Sequence, residues 1–445
     1  MNPLLGIALV LAALGLLIGT VKLAGRSGAL SPEWSRKLVH MGMGFVTLAF
    51  PWIFTSAWPV FALCGLAVGS LAAVRWWSPA KAVGGGVLDG VKRRSFGEFY
   101  FPIAVSIIFA LTLGSPVRYM IPVLVLTLAD AVAALVGTKY GQSPYTTKEG
   151  RKSWEGSLAF FLVGFFSVHV PLLLWTSTGR AESLLIAMTL ALVVMLFEAI
   201  AWEGLDNVFI PLGTHFLLGI YLVLDVKALV ARFLVTLGLV LFTLAWRRRT
   251  TLDDAGLMGA ALAGYAFYAL GGWAWLLPPL AFFLLFPVLN PGSHGVHHHD
   301  INAVLGTAGP GVLWLILHRL DVKGHHLVPF AACYAAHLAI VAFTHRAWKD
   351  PERGLPGLAL VGIGLGWLGI GTVMLIKDLA LRATPMAMLA TQAMLFAGAA
   401  VGALAFALWQ PGLRDCPADG ARWARQACCG VLGSAAAYLG VLRWL

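Results

Sequence analysis

Long apolar runs alternate with short polar segments along the whole chain. About 20 apolar residues in helical conformation span the roughly 30 Å hydrocarbon layer of a membrane. The runs fall at about 4–23, 38–55, 58–76, 99–114, 117–137, 157–176, 183–202, 208–225, 229–246, 255–271, 273–289, 302–318, 327–345, 356–376, 387–409 and 427–444. The pattern predicts an all-α, polytopic integral membrane protein with about 14–16 transmembrane helices.

The composition supports this class of protein. Of the 445 residues, 59% are hydrophobic and only 11% are charged, and the mean hydropathy is +0.84. Soluble domains carry roughly 25% charged residues, so a soluble protein is excluded. We assign the net charge of +11 to loops that meet anionic lipid, and we expect no nucleic-acid partner.

Basic residues indicate which loops face the cytoplasm. They cluster after the first, third, fifth and ninth runs. If each run crosses the membrane once, all four of these loops lie on the same side. Because basic loops stay on the cytoplasmic side, we expect these loops inside and the N-terminus outside, in a bacterial inner membrane. The sharpest polar break, RRRTTLDD at 247–254, predicts two membrane domains, 1–246 and 251–445.

Four polar segments in the first domain carry the candidate chemistry. The first is SPEWSRKLVHMGMG, in which Arg36, Lys37 and His40 share roughly one helical face at the start of a run. Interfacial anchoring by snorkelling side chains accounts for Arg36 and Lys37. His40 is not explained in this way, because it lies just inside the membrane beside two glycines.

The second segment is KRRSFGEFYFP. It places Arg93 and Arg94 before a run whose first turn carries Glu98. A guanidinium suits bidentate contact with phosphate, although basic residues at this position also set membrane topology. Topology does not explain Glu98, so this segment is a candidate for nucleotide binding.

The third segment, 130–157, is the one around which the first domain is organised. Asp130 lies inside an apolar run, where an ionisable residue indicates function, although pairing with a neighbouring helix is an alternative. A carboxylate near phosphate commonly holds Mg²⁺ or accepts a hydroxyl proton. Gly137 can let backbone N–H groups approach phosphate, and Lys152 precedes the next helix. GRKS is similar to the end of a P-loop, but Tyr145 stands where that motif requires glycine, so we reject a Walker motif.

The fourth segment is EAIAWEGLDNVFIP. It places Glu198, Asp206 and Asn207 at the end of one run and the start of the next. Carboxylates followed by asparagine at a helix end suit a divalent cation. A solvated turn explains Glu203 well but explains Glu198 poorly. We therefore expect a metal site here, on the same cytoplasmic side as the other segments.

Four motifs in this order resemble the polyprenol kinase family: SRKLVHMGMG, RRSFGEFYFP, DAVAALVGTKYG with KSWEGS, and E-x-x-x-W-x-G-LDN-x-x-x-P. That family contains phytol kinase, dolichol kinase and the CTP-dependent diacylglycerol kinase, and the resemblance covers about residues 30–225. It implies transfer of the γ-phosphate of CTP to a lipid alcohol with a divalent cation. The phytol kinase branch looks most similar.

The resemblance places eight residues on motif positions, and we infer their roles and those of their neighbours from their chemistry: Arg93, Glu98, Asp130, Lys152, Glu155, Glu198, Asp206 and Asn207. The expected catalytic residues are Asp130, Lys152 and Glu155. The expected nucleotide-binding residues are Arg93, Arg94, Glu98, Gly137, Lys148 and Asn207. The expected ligands of Mg²⁺ are Asp130, Glu198 and Asp206. The expected partners are CTP, membrane lipid and an isoprenoid alcohol such as phytol, geranylgeraniol or a polyprenol.

The second domain offers two further signals. Its opening, Thr251 to Pro287, resembles the membrane family that includes phytyl-phosphate kinase, which implies a second step from monophosphate to diphosphate. The alternative cluster, His294 to His299, contains the H-x-x-H-H spacing of membrane di-iron hydroxylases and desaturases, and imidazole suits iron. No H-x-x-x-H box precedes it. A transporter fits the number of runs but does not explain polar groups in cytoplasmic loops.

Overall fold

The structure is a computed structural model, and it describes residues 2–28, 32–76, 96–147, 150–291, 299–321, 324–415 and 419–444. Helices make up nearly all of the regular elements in these ranges. The chain divides into two compact units, Met1–Leu237 and Gly238–Leu445. The division falls inside the helix Val226–Trp246 and therefore precedes the polar break at 247–254.

The first unit holds eleven helices in the described residues, the last of which it shares with the second unit. They are α1 (Pro3–Arg26), α2 (Pro32–Leu48), α3 (Phe50–Ile53), α4 (Trp58–Trp76), α5 (Gly97–Leu111), α6 (Pro116–Leu124), α7 (Asp130–Tyr140), α8 (Trp154–Trp175), α9 (Arg180–Ile200), α10 (Asp206–Tyr221) and α11 (Val226–Trp246). A π-helical turn, Val125–Ala129, joins α6 to α7. Strands β1 (Pro144–Thr147) and β2 (Gly150–Ser153) form an antiparallel hairpin that pairs Tyr145 with Lys152.

The second unit is built around one buried helix. Its elements after α11 are a 3₁₀ turn (Arg247–Arg249), α12 (Asp254–Gly271), α13 (Trp273–Leu289), α14 (Ile301–Leu320), α15 (Leu327–Lys349), α16 (Leu355–Ala380), α17 (Pro385–Trp409) and α18 (Gly420–Trp444). Helix α15 packs against α16, α17 and α18 and is almost wholly buried. At Gly366 of α16 a Cβ atom would lie 2.7 Å from the Ala339 nitrogen of α15, so glycine is needed for this close approach.

Ten helices of the described residues are long and apolar enough to cross a membrane. They are α1, α4, the continuous helix Pro116–Tyr140, α8, α9, α11 with its 3₁₀ turn, α14, α15, α16 and α17. Helices α5 and α13 are apolar but shorter. The chain is therefore an all-α integral membrane protein, as the apolar runs predict. The number of these long apolar helices lies below the predicted 14–16 partly because some apolar runs form short helices, such as α2 with 17 residues and α10 with 16.

The helix that carries Asp130 contacts α2, α8 and α10. Small residues allow this packing. A Cβ atom on Gly44 of α2 would overlap the Thr127 side chain in the π turn. A Cβ atom on Gly156 of α8 would lie 3.3 Å from the Gly137 Cα of α7. Because these glycines leave room, α2 and α8 approach the middle of the continuous helix closely.

Candidate active site

Asp130 is the first residue of α7, and its carboxylate faces α2. Lys37 Nζ donates a hydrogen bond to Asp130 Oδ2 at 3.0 Å, and the two side chains are only 9% and 14% exposed. His40 Nε2 lies 3.8 Å from the same oxygen, and its ring meets Phe101 of α5 edge-on. Lys37 and His40 are three residues apart, so both lie on the face of α2 that meets α7. An ion pair in this setting is costly to desolvate, which indicates a functional arrangement.

Lys152 at the end of the hairpin forms a second ion pair. Its Nζ donates to Glu198 Oε1 at 2.8 Å and also to the Glu198 main-chain oxygen. Glu198 lies in the last turn of α9, which packs along α8. Ser153 follows Lys152 and caps α8 by accepting a hydrogen bond from Gly156 N at 3.1 Å, which fixes where the hairpin ends.

The charge of Lys152 is stabilised by this partner. Burial disfavours the ammonium form, but the Glu198 carboxylate outweighs that effect and raises the pKa of Lys152 above its usual value. The Lys152 side chain is therefore a fixed cation at neutral pH, beside the membrane-spanning part of α8. A fixed cation of this kind suits a phosphate oxygen.

Asp206, at the start of α10, brings a third carboxyl to the same region. Burial and the nearby Asp130 carboxylate raise the pKa of Asp206 to about 6, whereas Lys152 acts in the opposite direction. The two ion pairs and Asp206 are therefore close enough to influence one another electrostatically. We call this group the charged cluster, and its members are Lys37, His40, Asp130, Lys152, Glu198 and Asp206.

The charged cluster draws on five separate segments: α2, α7, β2, α9 and α10. The start of α5 joins the same region, because Phe96 N–H donates to the Glu203 main-chain oxygen at 3.1 Å. Two lysines and three carboxylates can together neutralise phosphate oxygens, bind a cation and accept a proton. The arrangement therefore suits chemistry on a phosphorylated substrate.

Glu155 and Gly137 have clear local contacts. Glu155 Oε1 accepts a hydrogen bond from Ser143 N at 3.1 Å, which ties the loop after α7 to the first turn of α8. A Cβ atom on Gly137 would lie 3.2 Å from Ser153 Oγ, so Gly137 leaves room for the end of the hairpin. These contacts give each residue a structural role. A catalytic role for Glu155 and a nucleotide-binding role for Gly137 stay predictions.

Asn207 and Glu98 are also engaged within the protein. Asn207 Nδ2 donates to the Gly204 main-chain oxygen at 3.3 Å, and Asn207 N donates to Asp206 Oδ1 at 3.0 Å. Asn207 thus positions Asp206 after a turn in which Gly204 has a φ of +84°, a conformation that favours glycine. Glu98 Oε1 pairs with Arg75 Nη1 at 3.2 Å. Nucleotide binding by Asn207 and Glu98 stays a prediction.

Several predicted residues lie outside the described residues: Arg93, Arg94, Lys148, His294, His297 and His298. Within the described ranges, no three or more His, Cys, Asp or Glu side chains are placed together to hold a metal ion. Glu198 is engaged with Lys152. Asp130 and Asp206 fit a different kind of site, in which one or two carboxylates share Mg²⁺ with substrate phosphates.

Lys37 is the member of the charged cluster that the sequence did not reveal. Interfacial anchoring accounts for a lysine at the start of an apolar run, yet this side chain turns inward to Asp130, 93 residues away in the chain. The sequence feature that could have revealed Lys37 is its helical spacing from His40, a residue that interfacial anchoring does not explain. A basic residue on the same face as a membrane-embedded histidine is a candidate for the same site.

Comparison with known proteins shows the family of this chain. The chain is 33% identical over 220 residues to a phytol kinase from Synechocystis sp., an alignment that covers 48% of this chain and 92% of that protein. This chain belongs to the polyprenol kinase family. No family model matches the chain, and no solved structure matches it. The aligned length is close to that of the first unit, Met1–Leu237, in which all four polyprenol kinase motifs lie.

The Lys37–Asp130 ion pair should contribute measurably to the free energy of unfolding. Lys37→Met leaves the Asp130 carboxylate without its lysine, which should destabilise the protein by about 3–5 kcal/mol. The double variant Lys37→Met with Asp130→Leu should recover most of that loss, because neither charge of this pair is then left without its partner. Thermal unfolding in detergent measures both effects. Lys227→Met, at an exposed position in α11, is the control. Wild-type unfolding of Lys37→Met would show that the ion pair does not stabilise the fold.

Proposed function

We propose that this member of the polyprenol kinase family transfers the γ-phosphate of CTP to the hydroxyl of an isoprenoid alcohol such as phytol, geranylgeraniol or a polyprenol. The charged cluster carries the proposal, because it gathers two lysines and three carboxylates among membrane helices. The phytol kinase relative, 92% of which aligns with this chain, supports the same activity. A lipid alcohol reaches such a cluster from the membrane, and a nucleotide reaches it from water.

Asp130 is the residue that we propose acts on the alcohol. Lys37 holds one carboxylate oxygen, Oδ2, and stabilises the ionised form. The carboxylate accepts the hydroxyl proton or binds the divalent cation, and both roles require a negative charge at this position. The alcohol oxygen then forms a bond to the γ-phosphorus while the bond to the β-phosphate oxygen breaks, which leaves CDP.

Lys152 is the proposed contact for the transferred phosphate. An ammonium has three N–H donors, and two of them point at the Glu198 side chain and main chain. The third can donate to a phosphate oxygen. We assign the rest of the triphosphate to Arg93, Arg94 and Lys148, as the sequence predicts. Phosphoryl transfer depends mainly on this kind of positioning and charge neutralisation.

Mg²⁺ is the proposed cofactor, held by Asp130 and Asp206 together with phosphate oxygens of the nucleotide. When bound, it would neutralise negative charge that develops on the phosphates. Burial and the Asp130 charge raise the pKa of Asp206 to about 6, and a divalent cation would relieve the repulsion between these carboxylates. Glu198 stays the third proposed ligand, since Lys152 contacts only Oε1 of its carboxylate.

Two finer features complete the proposal. We place the charged cluster on the cytoplasmic side of a bacterial inner membrane, because the basic loops of the first unit fall on that side by counting. We also propose that the second half phosphorylates the monophosphate to the diphosphate. The resemblance of Thr251 to Pro287 to the phytyl-phosphate kinase family supports this second step.

One assay tests the activity. Membranes that contain the protein are incubated with γ-labelled CTP, ATP or UTP and with phytol, geranylgeraniol, a polyprenol or diacylglycerol. We expect labelled isoprenoid monophosphate from CTP, followed by diphosphate formed by the second half. Membranes that lack the protein are the control. If no nucleotide labels any isoprenoid alcohol in membranes that contain folded protein, the proposed function is wrong.

Asp130→Asn tests the proposed role of the buried carboxylate. The amide has nearly the same shape but cannot accept the hydroxyl proton or carry the charge, so turnover should fall by about 100-fold or more. Asp225→Asn is the matched control, since Asp225 caps Ala228 N at 2.8 Å and asparagine can make the same bond. Near-normal turnover of Asp130→Asn, measured in the same membranes, contradicts the central assignment.

Lys152→Ala tests the phosphate contact. Loss of a charge-assisted hydrogen bond should lower kcat/KM for the nucleotide by about 10- to 100-fold. Arg151→Ala removes a cation from the neighbouring strand position, where the side chain is exposed, and should leave kcat/KM within about twofold. Steady-state kinetics with varied CTP compare the two variants. Equal kinetic constants for Lys152→Ala and wild type would remove Lys152 from the site.

A further inference from the structure

Aromatic side chains surround one arginine at the end of α4. Arg75 lies in the last turn of this helix, and its Cζ atom is 4.3 Å from the centre of the Phe96 ring and 5.7 Å from that of Phe99. Trp76 stacks on Phe99, with ring centroids 5.7 Å apart and ring planes inclined by 30°. We call Arg75, Trp76, Phe96 and Phe99 the aromatic shelf. The proposed transfer of phosphate gives none of these residues a role.

A carboxylate completes the aromatic shelf. Arg75 Nη1 donates a hydrogen bond to Glu98 Oε1 at 3.2 Å, and the two side chains are 23% and 34% exposed. Interfacial anchoring accounts for Arg75 and Trp76 at the end of a membrane helix. A carboxylate beside the arginine does not help such anchoring, because it weakens the attraction to anionic lipid. The pair of Arg75 and Glu98 therefore indicates a polar ligand.

The aromatic shelf borders the charged cluster. Phe101 follows Glu98 by three residues in α5, so the two side chains share a helical face about one turn apart. The Phe101 ring meets the His40 ring of the cluster, with centroids 5.2 Å apart. Phe96 N–H donates to the Glu203 main-chain oxygen, in the turn that precedes α10. The base of a nucleotide can therefore lie at the shelf while its phosphates reach the cluster.

The Arg75–Glu98 pair matches the hydrogen-bonding edge of cytosine. A carboxylate only accepts hydrogen bonds, whereas a guanidinium only donates them. Cytosine carries an amino donor at N4 beside an acceptor at N3, so the pair can bind both groups at once. Uracil carries an oxygen in place of the amino group, and this oxygen would face the carboxylate. Adenine presents the same two groups as cytosine, so the contact separates CTP from UTP and not from ATP.

The rings of the aromatic shelf suit the face of a base. Trp76 is 66% exposed although it stacks on Phe99. Stacking of a base on an aromatic side chain contributes about 1–3 kcal/mol and tolerates any base. The rings therefore supply affinity without selectivity, whereas the Arg75–Glu98 pair supplies selectivity.

We propose that the aromatic shelf and Glu98 bind the base of the nucleotide and select cytosine over uracil. The base stacks on Trp76, its N4 amino group donates to Glu98, and its N3 atom accepts from Arg75. Base recognition of this kind rests on the proposed function, since it assumes that a nucleoside triphosphate binds at the charged cluster. It does not depend on which alcohol receives the phosphate.

Binding of CTP labelled in its α-phosphate tests the proposal. The full chain in phosphatidylcholine nanodiscs is incubated with Mg²⁺ and without alcohol, and unlabelled CTP or UTP competes. We expect UTP to compete at least tenfold more weakly than CTP in wild-type protein. The measurement needs no transfer. Selective binding of CTP by protein that labels no alcohol would contradict the proposed function and support base recognition by the shelf.

Glu98→Gln tests the selection of the base. The glutamine amide can donate as well as accept, so it serves the uracil oxygen as well as the cytosine amino group. We expect UTP to compete within about threefold of CTP in this variant. Glu182→Gln is the matched control, because Glu182 also lies in the first turn of a membrane helix, α9. It should keep the wild-type preference for CTP.

Trp76→Leu tests the stacking surface. Binding of CTP and UTP should weaken alike, by about fivefold or more, since stacking does not depend on the base. Trp52→Leu is the matched control. Trp52 lies in α3 and is 65% exposed, almost the same fraction as Trp76, and its loss should not change nucleotide binding.

Four results would overturn the proposal, each with protein shown to be folded by thermal unfolding. The first is no saturable binding of CTP to the wild-type protein. The second is equal competition by CTP and UTP in the wild type. The third is an unchanged preference for CTP in Glu98→Gln, which would show that this carboxylate does not face the base. The fourth is wild-type affinity of Trp76→Leu, which would leave the ring with interfacial anchoring alone.

Discussion

An ionised carboxylate inside an apolar helix is costly unless a cation or hydrogen-bond donors lie beside it, and in this protein Lys37 is the cation beside Asp130. Much of the first unit depends on this requirement. Helix α2 must approach the π turn closely, which Gly44 allows, and α8 must approach α7, which Gly137 and Gly156 allow. These glycines of the family motifs are thus explained by packing around a charge.

The charged cluster brings together segments from inside and outside the membrane-spanning helices. Asp130 belongs to a membrane-spanning helix, whereas Lys152 belongs to a hairpin outside the spans and Asp206 to the start of a helix. Reaction between an oil-soluble alcohol and a water-soluble nucleotide needs such a place, since neither substrate enters the other's phase. The two ion pairs keep the cluster charged in a setting that favours neutral groups.

Apolar periodicity predicted the helices well, because each run must satisfy its backbone hydrogen bonds internally within lipid. It also located Asp130, Lys152, Glu198 and Asp206, since charges interrupt apolar sequence visibly. The ion-pair partners of these residues could not be predicted from the sequence. Lys37 is 93 positions from Asp130, and Lys152 is 46 positions from Glu198, whereas apolar periodicity describes only neighbouring residues. The hairpin was missed as well, because its two strands are only four residues each and lie in a polar loop.

The π turn at Val125–Ala129 has a consequence for the length of its helix. A π turn accommodates one residue more than an α turn, and such turns occur frequently at functional sites. If the same residues formed a regular α-helix, the extra residue would not be absorbed and the C-terminal part would be rotated by about 100°. Asp130 would then turn away from α2. The direction of this carboxylate is therefore set by the π turn that precedes it in the helix.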